Sequence, residues 1–247
     1  MCLQLKSNTF FALSALLLLA LLTPYSQAVT ISPVHLEMSL DNPISTFTVT
    51  NDSAKTVTYQ SNTLNWSQLD DKNIYIETED LIVTPPIVTI EPQSSQTFRV
   101  ALLKASPHLV EQSYRIVLDD ITTYVSDSTY NGLSFIFSHN LPLFFAPLES
   151  VDSVVWSRCE SNIEAKSCLL MENKGNRHAK MVQFNAISAT QEEPNNLSKT
   201  VLADSSGKWF FSTRLGSEMT TSITLTTDTG PVVLILNDLP HSNEITH

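Results

Sequence analysis

From residue 44 onward the chain repeatedly alternates polar and apolar side chains with a period of two. Clear examples are the runs 45–50, 56–59, 97–102, 114–118 and 222–225. Thr, Val, Ile and aromatic residues dominate these runs, and such residues favour β-strands. Turn signals such as Asp41-Asn42-Pro43 and Glu91-Pro92-Gln93 separate them. Short strands with no amphipathic helix between them predict an all-β chain of antiparallel β-sandwiches.

The first 28 residues have the layout of a secretory signal peptide. Lys6 precedes an uncharged apolar run from Phe10 to Leu22, and Ser26-Gln27-Ala28 offers small residues for cleavage. The run is too short to cross a bilayer comfortably, which disfavours the alternative of an uncleaved membrane anchor. We therefore expect an exported mature protein that begins at Val29 and has no stable membrane insertion.

A change in pattern near residues 146–149 divides the mature chain. A strongly apolar segment ends there, and a series of shorter alternating runs follows. The sequence predicts one domain over residues 29–147 and a second over residues 148–241, followed by a loose tail at 242–247. Each domain has about a hundred residues, a usual size. The polar residues 191–199 are predicted to form a loop in the second domain.

Charge and cysteine content narrow the possible partners. The formal net charge of −11 makes nucleic acid an unfavourable partner, because phosphate binding needs clustered Lys and Arg. Cys159 and Cys168 are the two cysteines left after the signal peptide, and in an oxidising compartment they predict one disulfide rather than two free thiols. A zinc site would need four ligands, usually including a C-x-x-C pair. The sequence has no such pair, so no metal site is expected.

Sequence motifs for catalysis are missing. The chain has no G-x-S-x-G, no H-E-x-x-H and no phosphate-binding loop, and its six histidines show no ligand spacing. We therefore predict a protein with no catalytic residues and no cofactor, not an enzyme. A hydrolase with a scattered triad stays open as an alternative, because only folding brings the members of a triad together.

The segment 133–145 carries large apolar side chains on both faces of a predicted strand. Alternate residues of a strand share a face, so the odd-numbered residues lie together and Ile136 and Phe144 lie opposite. Pro142 cannot donate to a ladder, which predicts an edge strand or a strand end. An apolar edge strand aggregates unless a partner covers it. Either Leu133, Phe135 and Phe137 face their own core, or one face is left for another protein.

Five segments, in order, resemble the pilus or fimbrial periplasmic chaperone family. Each motif is weak alone, but their order and spacing over essentially the whole mature chain are specific. The segments are Val83-Thr84-Pro85-Pro86-Ile87, Gln96-Thr97-Phe98-Arg99-Val100, Glu111-Gln112-Ser113-Tyr114-Arg115, Leu141-Pro142-Leu143-Phe144-Phe145-Ala146-Pro147, and the strand and turn from Met171 to Ala179.

The resemblance implies a fold, a location and a mechanism. Members have two immunoglobulin-like domains, act in the periplasm, and bind pilus or fimbrial subunits whose own fold lacks a last strand. The chaperone lends that strand, a form of β-strand addition, and delivers the subunit to an outer-membrane usher. The residues that the resemblance assigns to subunit binding on the donor strand are Leu133, Phe135, Phe137, His139 and Leu141.

The sequence departs from the family pattern where many members hold the carboxylate at the subunit's C-terminus. Those members use an Arg and a Lys at positions that align with His35 and Pro142. Proline has no side-chain donor, and histidine is only partly charged near neutral pH. Candidate anchors are therefore Arg99 or Arg115, whose guanidinium groups can bind a carboxylate in bidentate fashion, together with His35.

Two alternatives to this assignment stay open at this point. Both arginines can instead form surface pairs with Asp119 or Glu111. The whole chain can instead be a secreted immunoglobulin-like adhesion or binding module without chaperone activity, in which the last strand of the first domain is paired in the ordinary way. Within the family, the departure at the anchor suggests a divergent, archaic or alternative branch.

Overall fold

A computed structural model describes residues 29–122, 137–160, 167–188, 191–195, 198–211, 222–227, 229–235 and 238–242. The predicted signal peptide lies outside these ranges, as do Leu133, Phe135 and residues 243–247 of the predicted tail. In the described ranges every regular element of three residues or more is a β-strand. None of these residues belongs to a helix that is long and apolar enough to cross a membrane.

The N-terminal half forms two facing sheets. Its strands are β1 (Val29–Ser32), β2 (Leu36–Met38), β3 (Ile44–Asn51), β4 (Val57–Leu69), β5 (Lys72–Glu77), β6 (Leu81–Thr84), β7 (Ile87–Ile90), β8 (Ser94–Leu102), β9 (Gln112–Asp120) and β10 (Ser138–Phe145). One sheet has the order β1-β3-β8-β6. The other has the order β2-β10-β9-β4-β5, and β7 also pairs with β4.

The C-terminal half repeats this two-sheet plan. Its strands are β11 (Val154–Cys159), β12 (Ser167–Asn173), β13 (Ala179–Ser188), β14 (Gln191–Asn195), β15 (Lys199–Val201), β16 (Ser206–Phe211), β17 (Ser222–Thr227) and β18 (Gly230–Ile235). One sheet has the order β11-β12-β16. The other has the order β14-β13-β17-β18, with β15 also paired to β13.

The predicted alternation produces the core of the N-terminal sandwich. On β3 and β8, Phe47 and Phe98 lie directly opposite each other with ring centroids 4.9 Å apart. Tyr114, Ile116 and Leu118 of β9 face them from the other sheet and are fully buried. Burial of each such side chain contributes about 1.5–3 kcal/mol. The residues between them on β9 point to the outer face of the sheet.

The C-terminal domain has a smaller core and one disulfide. Leu169, Met171 and Trp209 are among its buried residues. Cys159 and Cys168 are directly opposite on β11 and β12 and form a disulfide, with their Cα atoms 5.0 Å apart. The predicted disulfide is therefore confirmed.

A buried asparagine closes an equivalent turn in each domain. Asn51 ends β3 and Asn173 ends β12, and each accepts a hydrogen bond on Oδ1 from the main-chain N–H two residues later. Each Nδ2 donates to the carbonyl four residues later and to two consecutive carbonyls far along the chain: those of Lys55, Ile90 and Glu91 for Asn51, and those of Arg177, Val201 and Leu202 for Asn173. The two halves thus share a turn design as well as a fold plan.

The predicted fold class of two immunoglobulin-like sandwiches is confirmed, with one local correction. The segment 191–199 was expected to be a loop, but Gln191–Asn195 is strand β14, which pairs with β13 at the edge of its sheet. An edge strand is held by main-chain hydrogen bonds, so a polar sequence without alternation can still form one. Hydrophobic periodicity could not reveal it.

Burial of Tyr114 predicts a defined loss of stability at alkaline pH. Burial, with a further contribution from the negative charge of Asp80, raises the pKa of Tyr114 from 10.0 to about 12. The unfolded chain therefore loses this proton before the folded chain does. The stability that Tyr114 contributes is fully present below pH 10 and is lost between pH 10 and 12, with a slope of at most about 1.4 kcal/mol per pH unit.

We expect Tyr114→Phe to make the free energy of unfolding fall less steeply with pH in this range, because the variant lacks the proton that Tyr114 releases. The measurement is chemical denaturation at a series of pH values from 8 to 12, about the range in which tyrosine titrates. Tyr75→Phe is the matched control, because Tyr75 is 41% exposed. A slope that is the same in Tyr114→Phe and in the unaltered protein would contradict the prediction.

Candidate functional site

Strand β10 is paired along its whole length on one side but only at its end on the other. All eight of its residues, Ser138–Phe145, are in register with β9. On the opposite side, β2 pairs only with Leu143, Phe144 and Phe145. No other described strand covers Ser138–Pro142 on that side. The first half of β10 is therefore an open edge within the described part of the chain.

The hydrogen-bonding pattern shows which main-chain groups face this open edge. The carbonyl of Phe137 accepts from the N–H of Asp120, so the odd-numbered residues of β10 point their main-chain groups at β9. The even-numbered residues point theirs away from β9. Ser138 and Asn140 therefore present both N–H and C=O to the open edge. Pro142 lies where its lack of an N–H costs no hydrogen bond to β9.

The odd-numbered side chains change environment along the strand. Leu141 is 4% exposed and belongs to the core of its own domain, as does Leu143. His139 is half-buried, with its ring centroid 5.8 Å from that of Tyr59. Phe137 is 63% exposed. The structure thus separates the predicted binding residues: Leu141 fills the home core, whereas Phe137 remains accessible beside the open edge.

Arg115 lies on the outer face of the same sheet, directly opposite Pro142. Its guanidinium carbon is 3.7 Å from the ring centroid of Trp66 and 6.0 Å from that of Tyr75. Burial lowers the pKa of Arg115 below its ordinary value, partly offset by Tyr75. Among the described residues, none accepts a hydrogen bond from its buried Nε. The result is a cation held against aromatic rings, with donor capacity unused.

The other two candidate anchors occupy different places. His35 lies on the Arg115 side of the domain, with its ring 5.2 Å from Phe144 and its Nε2 3.3 Å from Glu37. Arg99 is exposed on β8, in the opposite sheet, between Thr46 and Thr84 of the neighbouring strands. Arg99 therefore lies on the far side of the sandwich. The structure brings His35, Pro142 and Arg115 to one sheet face and leaves Arg99 apart.

Asp119 and Glu111, the two carboxylates that could have formed surface pairs with the arginines, are not paired with Arg115. Asp119 accepts from Asn62 at 2.8 Å and from Ser138 at 2.7 Å. Glu111 instead contacts His178 of the second domain. Among the described residues, Arg115 has no ion pair with any carboxylate within 4.0 Å. Within the described part of the chain, the guanidinium of Arg115 instead contacts the faces of Trp66 and Tyr75.

A small apolar cluster joins this sheet face to the C-terminal domain. Trp66 and Phe144 of the first domain pack with Leu202 of the second, and all three are at most 5% exposed. The ring of His178 stacks on Phe144 at 3.7 Å with an angle of 14° between their planes. Phe144, which the sequence placed on the second apolar face of β10, is thus covered by the other domain.

The turn from Asn173 to His178 makes several polar contacts with the first domain. Asn176 donates to the carbonyl of Leu109 at 2.8 Å and, within its own domain, to that of Glu149 at 2.7 Å. The buried Glu111 accepts from the main-chain N–H of His178 and contacts its Nδ1, both at 2.9 Å. A Cβ on Gly175 would collide with the carbonyl oxygen of Val151, so this position requires glycine.

A second set of contacts lies at the β4–β5 hairpin. Gln68 exchanges hydrogen bonds with the main chain of Thr200 and Leu202, each at 2.9 Å. Lys199 forms an ion pair with Asp71.

Sequence reasoning did not single out Trp66 or Tyr75. A tryptophan between polar residues in Asn65-Trp66-Ser67 was the available signal. Among the described residues, no group of His, Cys, Asp and Glu has an arrangement that could hold a metal ion.

Comparison with known proteins identifies the first domain. Residues 28–150 match the family model of the pili and flagellar-assembly chaperone, PapD N-terminal domain. No curated protein sequence matches this chain.

Several solved structures have the same two-domain fold at low sequence identity. One is the CsuC–CsuE chaperone–tip adhesion subunit pre-assembly complex from the archaic Csu pili of Acinetobacter baumannii, with 19% identity, a TM-score of 0.63, and coverage of 85% of this chain and 98% of that chain. The CupB2 chaperone of Pseudomonas aeruginosa has 18% identity, a TM-score of 0.57 and coverage of 84% and 100%. The SafA pilin–SafB chaperone complex of Salmonella enterica has 14% identity, a TM-score of 0.60 and coverage of 87% and 99%.

The family match and the shared fold together confirm the resemblance that the sequence motifs indicated. They also agree with the prediction of a protein that is not an enzyme. The chain belongs to the family of pilus-assembly chaperones.

Proposed function

We propose that this chaperone acts in the periplasm, captures pilus or fimbrial subunits by lending them the β10 edge, and delivers them to an outer-membrane usher. The observation that carries the proposal is the half-paired strand β10, whose main-chain groups at Ser138 and Asn140 face an edge that no described strand covers. The signal-peptide pattern of residues 1–28 supports export, and the named relatives include complexes of chaperones with pilus subunits.

The physical basis of capture is strand addition. A subunit that lacks its last strand has unpaired main-chain groups and an incomplete core, and both are satisfied by an edge strand with large alternate side chains. We assign Leu133, Phe135 and Phe137 to this role. Each would contribute about 1.5–3 kcal/mol when fully buried in the subunit. Leu141 already fills its own core, so we leave it out of the contact, and His139 lies at the boundary.

We further propose that Arg115 anchors the carboxylate at the C-terminus of the subunit, with His35 nearby. Pro142 aligns with the lysine used by many members of the family, and Arg115 is its neighbour on the adjacent strand. A guanidinium on β9 can therefore reach the same region of the sheet face. Its unused Nε and its stacking on Trp66 suit a bidentate contact. The use of Arg115 in place of the lysine of other members supports placing this chain in a divergent branch of the family.

Phe137→Asp tests the lent strand. Loss of a buried aromatic ring and insertion of a carboxylate into an apolar groove should weaken capture at least about tenfold. The measurement is co-purification with the pilus subunit of the same assembly system, expressed together in the periplasm, followed by a dissociation constant for the complex.

Ile76→Asp is the matched control for this experiment. Ile76 is 64% exposed and lies on β5, at the opposite edge of the same sheet. We expect it to leave capture unchanged. Equal capture by the Phe137 and Ile76 variants would contradict the strand assignment. Failure of the unaltered protein to hold any subunit would favour the secreted adhesion module.

Arg115→Ala tests the anchor. Loss of charge-assisted hydrogen bonds of about 1.5–3 kcal/mol should weaken capture by at least about tenfold. Arg99→Ala should have no effect, since Arg99 lies on the other sheet. A subunit extended at its C-terminus by two glycines should bind the unaltered chaperone more weakly but bind Arg115→Ala no worse than the native subunit does. Unchanged capture by Arg115→Ala would remove Arg115 from the site.

A further inference from the structure

A continuous series of stacked side chains runs from the C-terminal domain to Arg115. His178 stacks on Phe144 at 3.7 Å, Phe144 lies 5.7 Å from Trp66, and Arg115 lies 3.7 Å above Trp66. We call His178, Phe144, Trp66 and Arg115 the interdomain stack. Three of its members belong to the first domain and one to the second. The tilted Phe144–Trp66 pair has the separation at which aromatic rings attract each other beyond the burial of their area.

His178 has its place in this stack fixed by Glu111. The two oxygens of Glu111 lie 2.9 and 3.0 Å from Nδ1 of His178, and one of them also accepts from the main-chain N–H of His178. Both side chains are only 4% exposed. Because the ring is held at its edge by a carboxylate, its face is presented to Phe144 in one orientation.

Arg115, by contrast, is not oriented by any polar group among the described residues. No carboxylate in the described part of the chain pairs with it, and its Nε has no acceptor. The direction of the guanidinium is therefore set by the faces of Trp66 and Tyr75. The Trp66 ring in turn contacts Arg115 on one side and packs with Phe144 and Leu202.

We propose that the C-terminal domain positions Arg115 through this stack, with His178 as the positioning residue that acts through Phe144 and Trp66. The inference deepens the proposed function, because the positioned group is the proposed carboxylate anchor. It predicts that subunit capture depends on the ring at position 178, although that ring does not touch Arg115. The second domain then contributes to the binding site by orienting a residue of the first.

The test uses the Nε–H resonance of Arg115 in the free, full-length mature protein. The Arg115→Lys variant lacks this cross-peak and so assigns it in a ¹H–¹⁵N spectrum. Two double variants differ only in the ring: Glu111→Gln with His178→Phe keeps an aromatic ring on Phe144, and Glu111→Gln with His178→Ala removes it. Both avoid a buried, unpaired carboxylate at position 111.

We expect the ring-containing variant to keep the native resonance and slow exchange with water. The variant without the ring should show a resonance shifted toward that of an unfolded arginine, with exchange faster by about 2- to 10-fold, as expected for loss of one aromatic contact. Lys199→Ala removes an interdomain ion pair that lies outside the stack and should leave the resonance unchanged. Identical Arg115 resonances in the two double variants would overturn the proposal.

A second measurement separates this inference from the proposed function. Compared with the double variant that keeps the ring, Glu111→Gln with His178→Ala should weaken subunit capture when Arg115 is present but cause no further loss in the Arg115→Ala background, whereas independent effects add. Additive losses would contradict positioning through Arg115. If Arg115→Ala alone leaves capture intact, the anchor proposal fails, and the spectroscopic result still decides whether the stack orients Arg115.

Discussion

The N-terminal domain depends on the hydrogen-bonded ladder around β10. Among the described residues, β9 pairs with the whole strand on one side, whereas β2 pairs only with its last three residues on the other. Ser138 and Asn140 turn their main-chain groups to an edge that β2 does not reach, and Phe137 places a large apolar side chain beside it. An apolar open edge is an aggregation hazard in an isolated domain. It is also the feature that a protein needs in order to complete another protein's unfinished sheet.

The second domain covers the other face of the strand that carries this edge. Phe144 points away from the core of the first sandwich and is buried by His178, Trp66 and Leu202. The two apolar faces of β10 thus have different roles. Leu141, Leu143 and Phe145 fill the core of the first domain, whereas Phe144 on the other face forms part of the domain interface. Only the part of the strand before Leu141 remains for a partner.

Much of the fold followed from local sequence, because periodicity and turn residues act locally. Alternation predicted β3, β8 and β9, and Pro142 predicted an edge strand or a strand end. The polar edge strand β14 escaped detection because its main chain, not its side-chain pattern, holds it in the sheet. Sequence also left Arg99 and Arg115 equivalent. Trp66, which lies 49 residues before Arg115 in the chain, distinguishes them, and only the register between β4 and β9 brings the two together.

Residue-resolved hydrogen exchange of the free chaperone and of its complex with a pilus subunit tests the open edge most directly. In the free protein, the N–H groups of Ser138 and Asn140 should exchange rapidly, whereas those of His139 and Leu141, which face β9, should be protected. In the complex, Ser138 and Asn140 should become protected as well. Protection of Asn140 already present in the free protein, or absent in the complex, would contradict the account.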